Sequence, residues 1–343
     1  MNRLWGLMLL PVMIVLTGCT IQLVQPVGEG DIHEFAPVPD TVWGPQIDFE
    51  KGYFVEELEA GLYWVTEGTY QMMFLTTGEG VIVVDAPPAI GPNILNAIAE
   101  VTDEPITHVI YSHTHADHIG AAGIYPEDAV VIAHADTAFQ LEHALAPERE
   151  FPYGVFSGGG PIPLPTVTFD GDYTLEVGNQ VLELSYKGIN HEPGNIFIYA
   201  PAQKVLMLVD VIFPAWTPFA ELALAEDVIG FYDAHAQVLD YEFDWFVGGH
   251  LTRLGTRDDV EMQLEYMTDI RSNALDALQS VDFMAVAQET GFENPWVLFD
   301  TYLNRIAQHC TKATEEKWFG VLGGVDVFTE GHCWTVAESI RID

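Results

Sequence analysis

The sequence predicts an α/β fold in which two stacked β-sheets are covered by helices, with a helical stretch at the C-terminal end. Three observations point there. Apolar runs of strand length fall into two groups, helix-like segments lie between and after them, and the last strand-like run is followed by long stretches with apolar residues at helical spacing. At 343 residues and 49% hydrophobic, the chain can bury a large core in one domain, or in one domain plus an extension.

Taken in order, the chain begins with a targeting pattern. Asn2-Arg3 gives a basic start, residues 4–16 are nearly all apolar, and Leu16-Thr17-Gly18-Cys19 follows with small residues before the cysteine. The apolar run is short for a membrane span. Leu16–Cys19 resembles the lipobox of bacterial lipoproteins, which implies removal of residues 1–18 and a lipid on Cys19; an ordinary cleaved signal is the other reading. Thr20 is unlike the Asp typical of inner-membrane retention, so the resemblance implies the periplasmic side of the outer membrane. Residues 19–50, with Pro26, Pro37, Pro39 and Pro45, read as a tether without a core.

Strands are predicted at 63–65, 71–75 and 81–84 as a meander, then a helix at Asn93–Val101 and a strand at His108–Tyr111. A second series runs through 130–132, 167–169, 180–186, 196–199 and 205–209, with a helix near Thr137–Ala144. Asp227–Leu239, Arg257–Leu278 and Asn294–His309 read as helices. The loop Ser157-Gly158-Gly159-Gly160-Pro161 is linker-like, because no Lys-Ser or Lys-Thr follows to cradle a phosphate.

Composition narrows the partners. Lys and Arg total 12 against 51 Asp and Glu, a formal charge of -39, which leaves little basic surface to neutralise a phosphate backbone, so no nucleic-acid partner is expected. The acidity fits a solvated surface suited to salt, or recruitment of a cationic ligand. Export places the mature chain where disulfides persist, and Cys310 and Cys333 are candidates for pairing.

The chemistry concentrates at Ser112-His113-Thr114-His115-Ala116-Asp117-His118, directly after a predicted strand. Four candidate ligands within six residues can converge on one or two metal ions, because imidazole suits Zn²⁺ and a turn can aim alternate side chains inward. This stretch resembles the His-x-His-x-Asp-His signature of the metallo-β-lactamase superfamily. His191 after Gly188-Ile189-Asn190, Asp210 after Val205–Val209, and His250 after Val247-Gly248-Gly249 fall in that family's order. The resemblance spans about residues 50–275 and implies an αββα sandwich with metals at one edge of the sheets, giving a catalytic domain at 51–275 and a C-terminal extension at 276–343. It further implies two zinc ions, the first held by His113, His115 and His191, the second by Asp117, His118 and His250, with Asp210 bridging. Three protein ligands per ion leave coordination open for water, as catalytic zinc requires.

Two Zn²⁺ ions can share a water, lower its pKa toward about 7 and deliver hydroxide to a carbonyl, with Asp117 orienting it and carrying its proton. No Gly-x-Ser-x-Gly elbow is present, which disfavours a serine hydrolase. The β-lactamases of the family usually carry Cys or Ser where Asp210 stands, whereas a bridging Asp is similar to the lactonases, thioesterases and phosphodiesterases. Lack of cationic clamps argues against nucleotides and glutathione conjugates. The expected substrate is therefore a small-molecule lactone or ester, such as an N-acyl homoserine lactone or a related acyl ester, with a β-lactam second. An iron oxidoreductase on the same fold and a non-catalytic zinc-binding lipoprotein are the readings from other classes; His115 stands where the flavodiiron form has Glu. Phe213–Phe219 and Met72-Met73-Phe74 are candidates to wall an apolar pocket, or to pack in the core. Asp85 either fixes a ligating imidazole or starts the turn into Ala86-Pro87-Pro88. His33, His108, His134, His143, His235, His309 and His332 read as structural or surface residues, and residues beyond 275 as a groove cap, a dimer surface or packing against the sandwich.

Overall fold

A computed structural model describes residues 35–343, and Ala36–Asp343 form one compact unit. The signal segment, Cys19 and His33 lie outside the described residues. One sheet has seven strands in sequence order: β1 (Phe54–Glu59), β2 (Leu62–Thr66), β3 (Gln71–Thr76), β4 (Val81–Val84), β5 (Ile106–Ile110), β6 (Val130–His134) and β7 (Val167–Phe169). The first four pair antiparallel and the last four parallel. The other sheet runs β12 (Trp245–Val247), β11 (Val205–Met207), β10 (Phe197–Ala200), β9 (Gln180–Ser185), β8 (Asp172–Val177).

The unbroken apolar runs of β3 and β4 follow from a sheet buried on both faces, where successive side chains point to opposite sides. Met73, Leu75, Ile82 and Val84 face the second sheet and meet Leu182, Leu184, Ile198 and Met207. Met72, Phe74, Val81 and Val83 face outward against Ile94 and Ile98 of α1 (Asn93–Val101). A third core covers the outer face of the second sheet. There Phe197, Leu206 and Phe246 meet Phe231 of α5 (Val228–Leu239), Ile270 of α6 (Arg257–Ser280), Ile306 of α8 (Pro295–Trp318) and Val336 of α9 (Val325–Ile342). The order helix, sheet, sheet, helix is the αββα sandwich, with the C-terminal helices as its outer layer. Thr256 and Asp259 form a capping box that starts α6, and Asn294 followed by Pro295 starts α8.

Two expectations are corrected, one open choice is decided and two strands were missed. The packed unit begins at Ala36 rather than 51: Val42 is fully buried, its carbonyl accepts from Thr252 Oγ1, and Arg253 Nε donates to Thr41 O at 2.7 Å. Of the two readings for Met72, Met73 and Phe74, core packing holds: both faces of β3 are covered, and none of the three lines the cavity over the metal-ligating cluster. The helix expected at 294–309 continues to Trp318. β1 and β8 went unpredicted; both are sheet edges whose half-solvated, acid-bearing sequences mask the strand pattern. Cys310 and Cys333, both fully buried, form a disulfide joining α8 to α9 with Cα atoms 5.8 Å apart. No described helix is long and apolar enough to cross a membrane.

Candidate metal centre

All seven sequence-predicted site residues come together, although they span residues 113–250. β9 and β11 both pair antiparallel with β10, and β12 pairs parallel with β11, so β9, β11 and β12 run in one direction. The segments leaving their C-terminal ends carry His191, Asp210 and His250 to the same edge. From the other sheet, β5 runs into His113 and His115, and the short α2 (Ala116–Ile119) presents Asp117 and His118. Gly249 is required there: its φ is +84°, and a Cβ would lie 2.6 Å from Val209 Cγ1.

Two groups form, His113, His115, His191 and Asp210 in one, Asp117, His118 and His250 in the other, with the ligand atoms of each group within 4.8 Å of one another. Asp210 reaches both. Its Oδ2 lies 3.3 Å from His113 Nε2 and His191 Nε2 and 3.2 Å from His118 Nε2, and its Oδ1 lies 2.8 Å from His250 Nε2. His118 Nε2 and His250 Nε2 face each other at 2.9 Å, as do His115 Nδ1 and His191 Nε2. Ring nitrogens this close share either a proton or a cation, His113 Nε2 and Asp210 Oδ1 are buried with no well-aligned hydrogen-bond partner, and zinc–nitrogen bonds of about 2.0–2.1 Å place tetrahedral ligand atoms about 3.3 Å apart. The donor set therefore fits a divalent metal.

For His113 and His115, neighbours fix which ring nitrogen faces inward. Ser112 Oγ contacts His113 Nδ1 at 2.9 Å, leaving Nε2 for the cluster. Glu192 Oε2 lies 3.2 Å from His115 Nε2, leaving Nδ1. Glu192 is itself buried and accepts from the Thr114 amide at 2.5 Å and from the Thr114 hydroxyl at 2.6 Å. Asn195 Nδ2 ties the His191 loop to the strand before Asp210 by donating to Asn190 Oδ1 and Val209 O, each at 2.9 Å. Tyr70, just before β3, lies tilted against His250 with ring centroids 4.6 Å apart and donates its hydroxyl to Asp117 Oδ2 at 3.2 Å. Sequence reasoning missed Glu192 and Tyr70. An acidic residue directly after a candidate ligand was the available signal for Glu192; Tyr70 is brought in only by its bridge to His250.

Burial pushes His113 down to about 4 and His191 to about 3, so both are neutral and free to offer a lone pair at pH 7. Burial would do the same to His118, but Asp210, Asp117 and Asp85 outweigh it and raise that imidazole to about 9. For Asp210 burial favours the neutral acid, yet His118, His250, His191 and His113 together hold it ionised well below the usual carboxylate range. Asp85 is fully buried, has φ +65°, and accepts from the Ser112 amide at 2.8 Å. Desolvation raises it to about 6, and it acts on His118 through charge, with no hydrogen bond to an imidazole.

The centre opens on a cavity of about 760 Å³, lined by His115, Asp117, His191, Asp210 and His250 on one side and Phe213, Trp216, Phe219 and Phe328 among the apolar groups on the other. Among the described residues, no lysine or arginine lines it. Ser157, from the loop taken as a linker, is also in the wall. His235 and His332 are buried and hydrogen-bonded, and neither belongs to the two groups of candidate ligands.

Among curated proteins, the chain is 26% identical over 258 residues to 2,4-dinitroanisole O-demethylase subunit alpha of Nocardioides sp. (strain JS1661), covering 73% of this chain and 71% of that one. It is 29% identical over 136 residues to metallo-beta-lactamase type 2 of Bacillus sp. (strain 170), covering 39% of this chain and 47% of that one. Among solved structures, the metallo-beta-lactamase from Pontibacter korlensis superposes with TM-score 0.52 at 20% identity over 62% of this chain and 97% of its own. A double mutant of the sec-alkyl sulfatase PisA1 superposes with TM-score 0.53 at 19% identity over 78% of this chain and 50% of its own. These two likenesses show a shared fold. The sequence profile of the metallo-beta-lactamase superfamily matches residues 65–266, a stretch that contains all seven convergent side chains, and the chain is therefore an enzyme of that superfamily, whose members are metal-dependent hydrolases.

Proposed function

We propose that the protein hydrolyses an uncharged lactone or ester with a sizeable apolar part, of the N-acyl homoserine lactone kind or a related acyl ester, using two zinc ions held by His113, His115 and His191, by Asp117, His118 and His250, and by Asp210 between them. The observation behind this reading is the pairing of that ligand set with a large aromatic-lined cavity that has no cation to receive a phosphate or a carboxylate. Bound zinc would polarise a carbonyl and bring the pKa of a water toward about 7. The chain's own groups do the rest. Neutral His113 and His191 and an ionised Asp210 set the site's charge, and Asp117, its Oδ2 tied by Tyr70, would orient a water and accept its proton. Phe213 and Trp216 exclude bulk solvent and strengthen the electrostatics inside.

A β-lactam remains second, supported by the Bacillus relatives and opposed by Asp210 in place of Cys or Ser. The longer match to a protein named as a 2,4-dinitroanisole O-demethylase favours a further reading, displacement of an alkoxide from an activated aromatic ring, which the aromatic lining would also accommodate. Zinc-loaded protein assayed on an acyl lactone, an aryl ester, a β-lactam, a thioester, a phosphodiester and a nitroaryl methyl ether separates these readings. Turnover of the lactone or ester is expected, and its absence ends the first reading. Elemental mass spectrometry should find about two zincs per chain; iron instead would overturn the metal assignment. We also propose that the mature chain is lipid-anchored through Cys19 at the cell envelope, which Cys19→Ser tests by loss of acyl labelling and release from membranes.

A further inference from the structure

The cavity wall opposite the metal-ligating cluster comes from two places: Phe219, Ala223 and Leu224, and Gly324, Val327 and Phe328 at the start of α9. The second group lies beyond the part of the chain that matches the superfamily. Phe219 is 53% exposed, Leu224 55% and Val327 43%, all bordering the same space. Covering a side chain of this size is worth about 1.5–3 kcal/mol, so an apolar wall left open to one cavity favours an apolar occupant.

The backbone of this wall is unusual. The single turn α4 (Ala220–Leu224) is left-handed: Glu221, Leu222, Ala223 and Leu224 have φ of 54°, 60°, 57° and 58°, and none is glycine. Left-handed helical geometry disfavours L-residues at every position, and strain of this kind persists where surrounding packing over-determines it, often beside a ligand. Here Leu222 and Ala223 are buried, and the Phe219 carbonyl, which begins the turn, accepts from His332 Nε2 of α9 at 3.0 Å. Phe219 and Phe328 meet edge to face with centroids 5.2 Å apart, and the face of Trp216 lies against Gly323, where a Cβ would come within 2.5 Å of the indole. The turn and α9 therefore form one wall, and α9 is further tied to α8 by Cys310–Cys333.

We propose that this wall is the receptor for the uncharged apolar substituent of the substrate, and that Phe219, Leu224, Val327 and Phe328 set the length it accepts. The proposal rests on the hydrolase reading above and names the determinant of its specificity. It is tested in two arms on the metal-loaded full chain: calorimetric binding of a straight-chain 1-alkanol series, which needs no turnover, and kcat/KM for a p-nitrophenyl acyl ester series of increasing chain length. Affinity should rise about fourfold per added methylene until the cavity is filled, and then level off. Val327→Trp should bring the levelling-off to shorter chains and Phe328→Ala should move it to longer ones, in variants whose melting temperature and metal content match the parent. Binding that is independent of chain length, or variants that change every chain length by the same factor, would overturn the proposal. Length-dependent alkanol binding without ester turnover would leave the receptor standing and remove the ester reading; ester turnover without length dependence would do the reverse.

Discussion

The two sides of the cavity are built by different means. The metal-ligating side is polar and buried, and its residues leave the ends of strands and one short helix, so the hydrogen-bonded register of two sheets fixes where they meet. The opposite side is apolar, comes from a left-handed turn and the first residues of α9, and is held mainly by ring packing, one histidine–carbonyl bond and a disulfide between helices, with a single backbone bridge between Trp216 and Gly323. Chemistry is thus set by backbone pairing, where a shift of one residue would flip a ligand to the wrong face. Selection is set by side-chain packing, where a change of size is tolerated at a cost of a few kcal/mol. The catalytic edge can stay constant while the wall varies.

That contrast can be broken or sharpened by measurement. The largest effect should come from Asp210→Asn, because this is the side chain within reach of both groups of candidate ligands. Removing a partner one layer further out already costs about 10–100-fold in metal affinity or activity, so more than about 100-fold is expected here. Metal content by elemental analysis together with hydrolysis rates decides it, and a variant that keeps both would sink the bridging role. Next is Phe74→Ala on β3. As a fully buried ring between sheet and α1 it should cost about 3–5 kcal/mol of stability in urea titrations while leaving chain-length preference unmoved. A changed preference would return β3 to the pocket.

Acid should come third. His235 and His332, fully desolvated, have folded pKa values of about 4 against 6.5 when exposed. The unfolded chain therefore binds more protons than the folded one between these values, so stability is intact above about pH 6.5 and falls as pH drops toward 4, by on the order of 3 kcal/mol for each histidine. Thermal melts of chelator-treated protein across that range, with His235→Gln as the variant that should flatten the slope, test it. The smallest effect is expected from Glu192→Gln. Loss of the carboxylate beside His115 Nε2 should weaken one metal by about 10–100-fold and spare the other. Chelator competition and the cobalt-substituted spectrum read this out, and equal weakening of both metals would argue for a general structural role of Glu192.

Much of this molecule was legible in residue order. His113, His115, Asp117 and His118 announce themselves because four ligand types in six residues have few other uses, and the strands of the central meander are readable because each is apolar on both faces. Val42 was hidden among prolines, since an isolated apolar residue in an irregular segment has no period to betray its burial. Tyr70 and Glu192 were hidden for a related reason: each acts on a residue far away in the chain, His250 in one case and His115 in the other.

Sequence by itself determined the ligand types, the apolar runs that give two sheets, and the family, because these rest on local spacing and on side-chain chemistry. Only the tertiary structure decided that Asp210 stands between two groups of imidazoles, that Cys310 and Cys333 are neighbours, and that α9 closes the cavity with Val327 and Phe328. Those facts depend on which elements pack side by side, and the packing of separate segments is settled by shape complementarity across the whole core, which leaves no periodic trace in the chain.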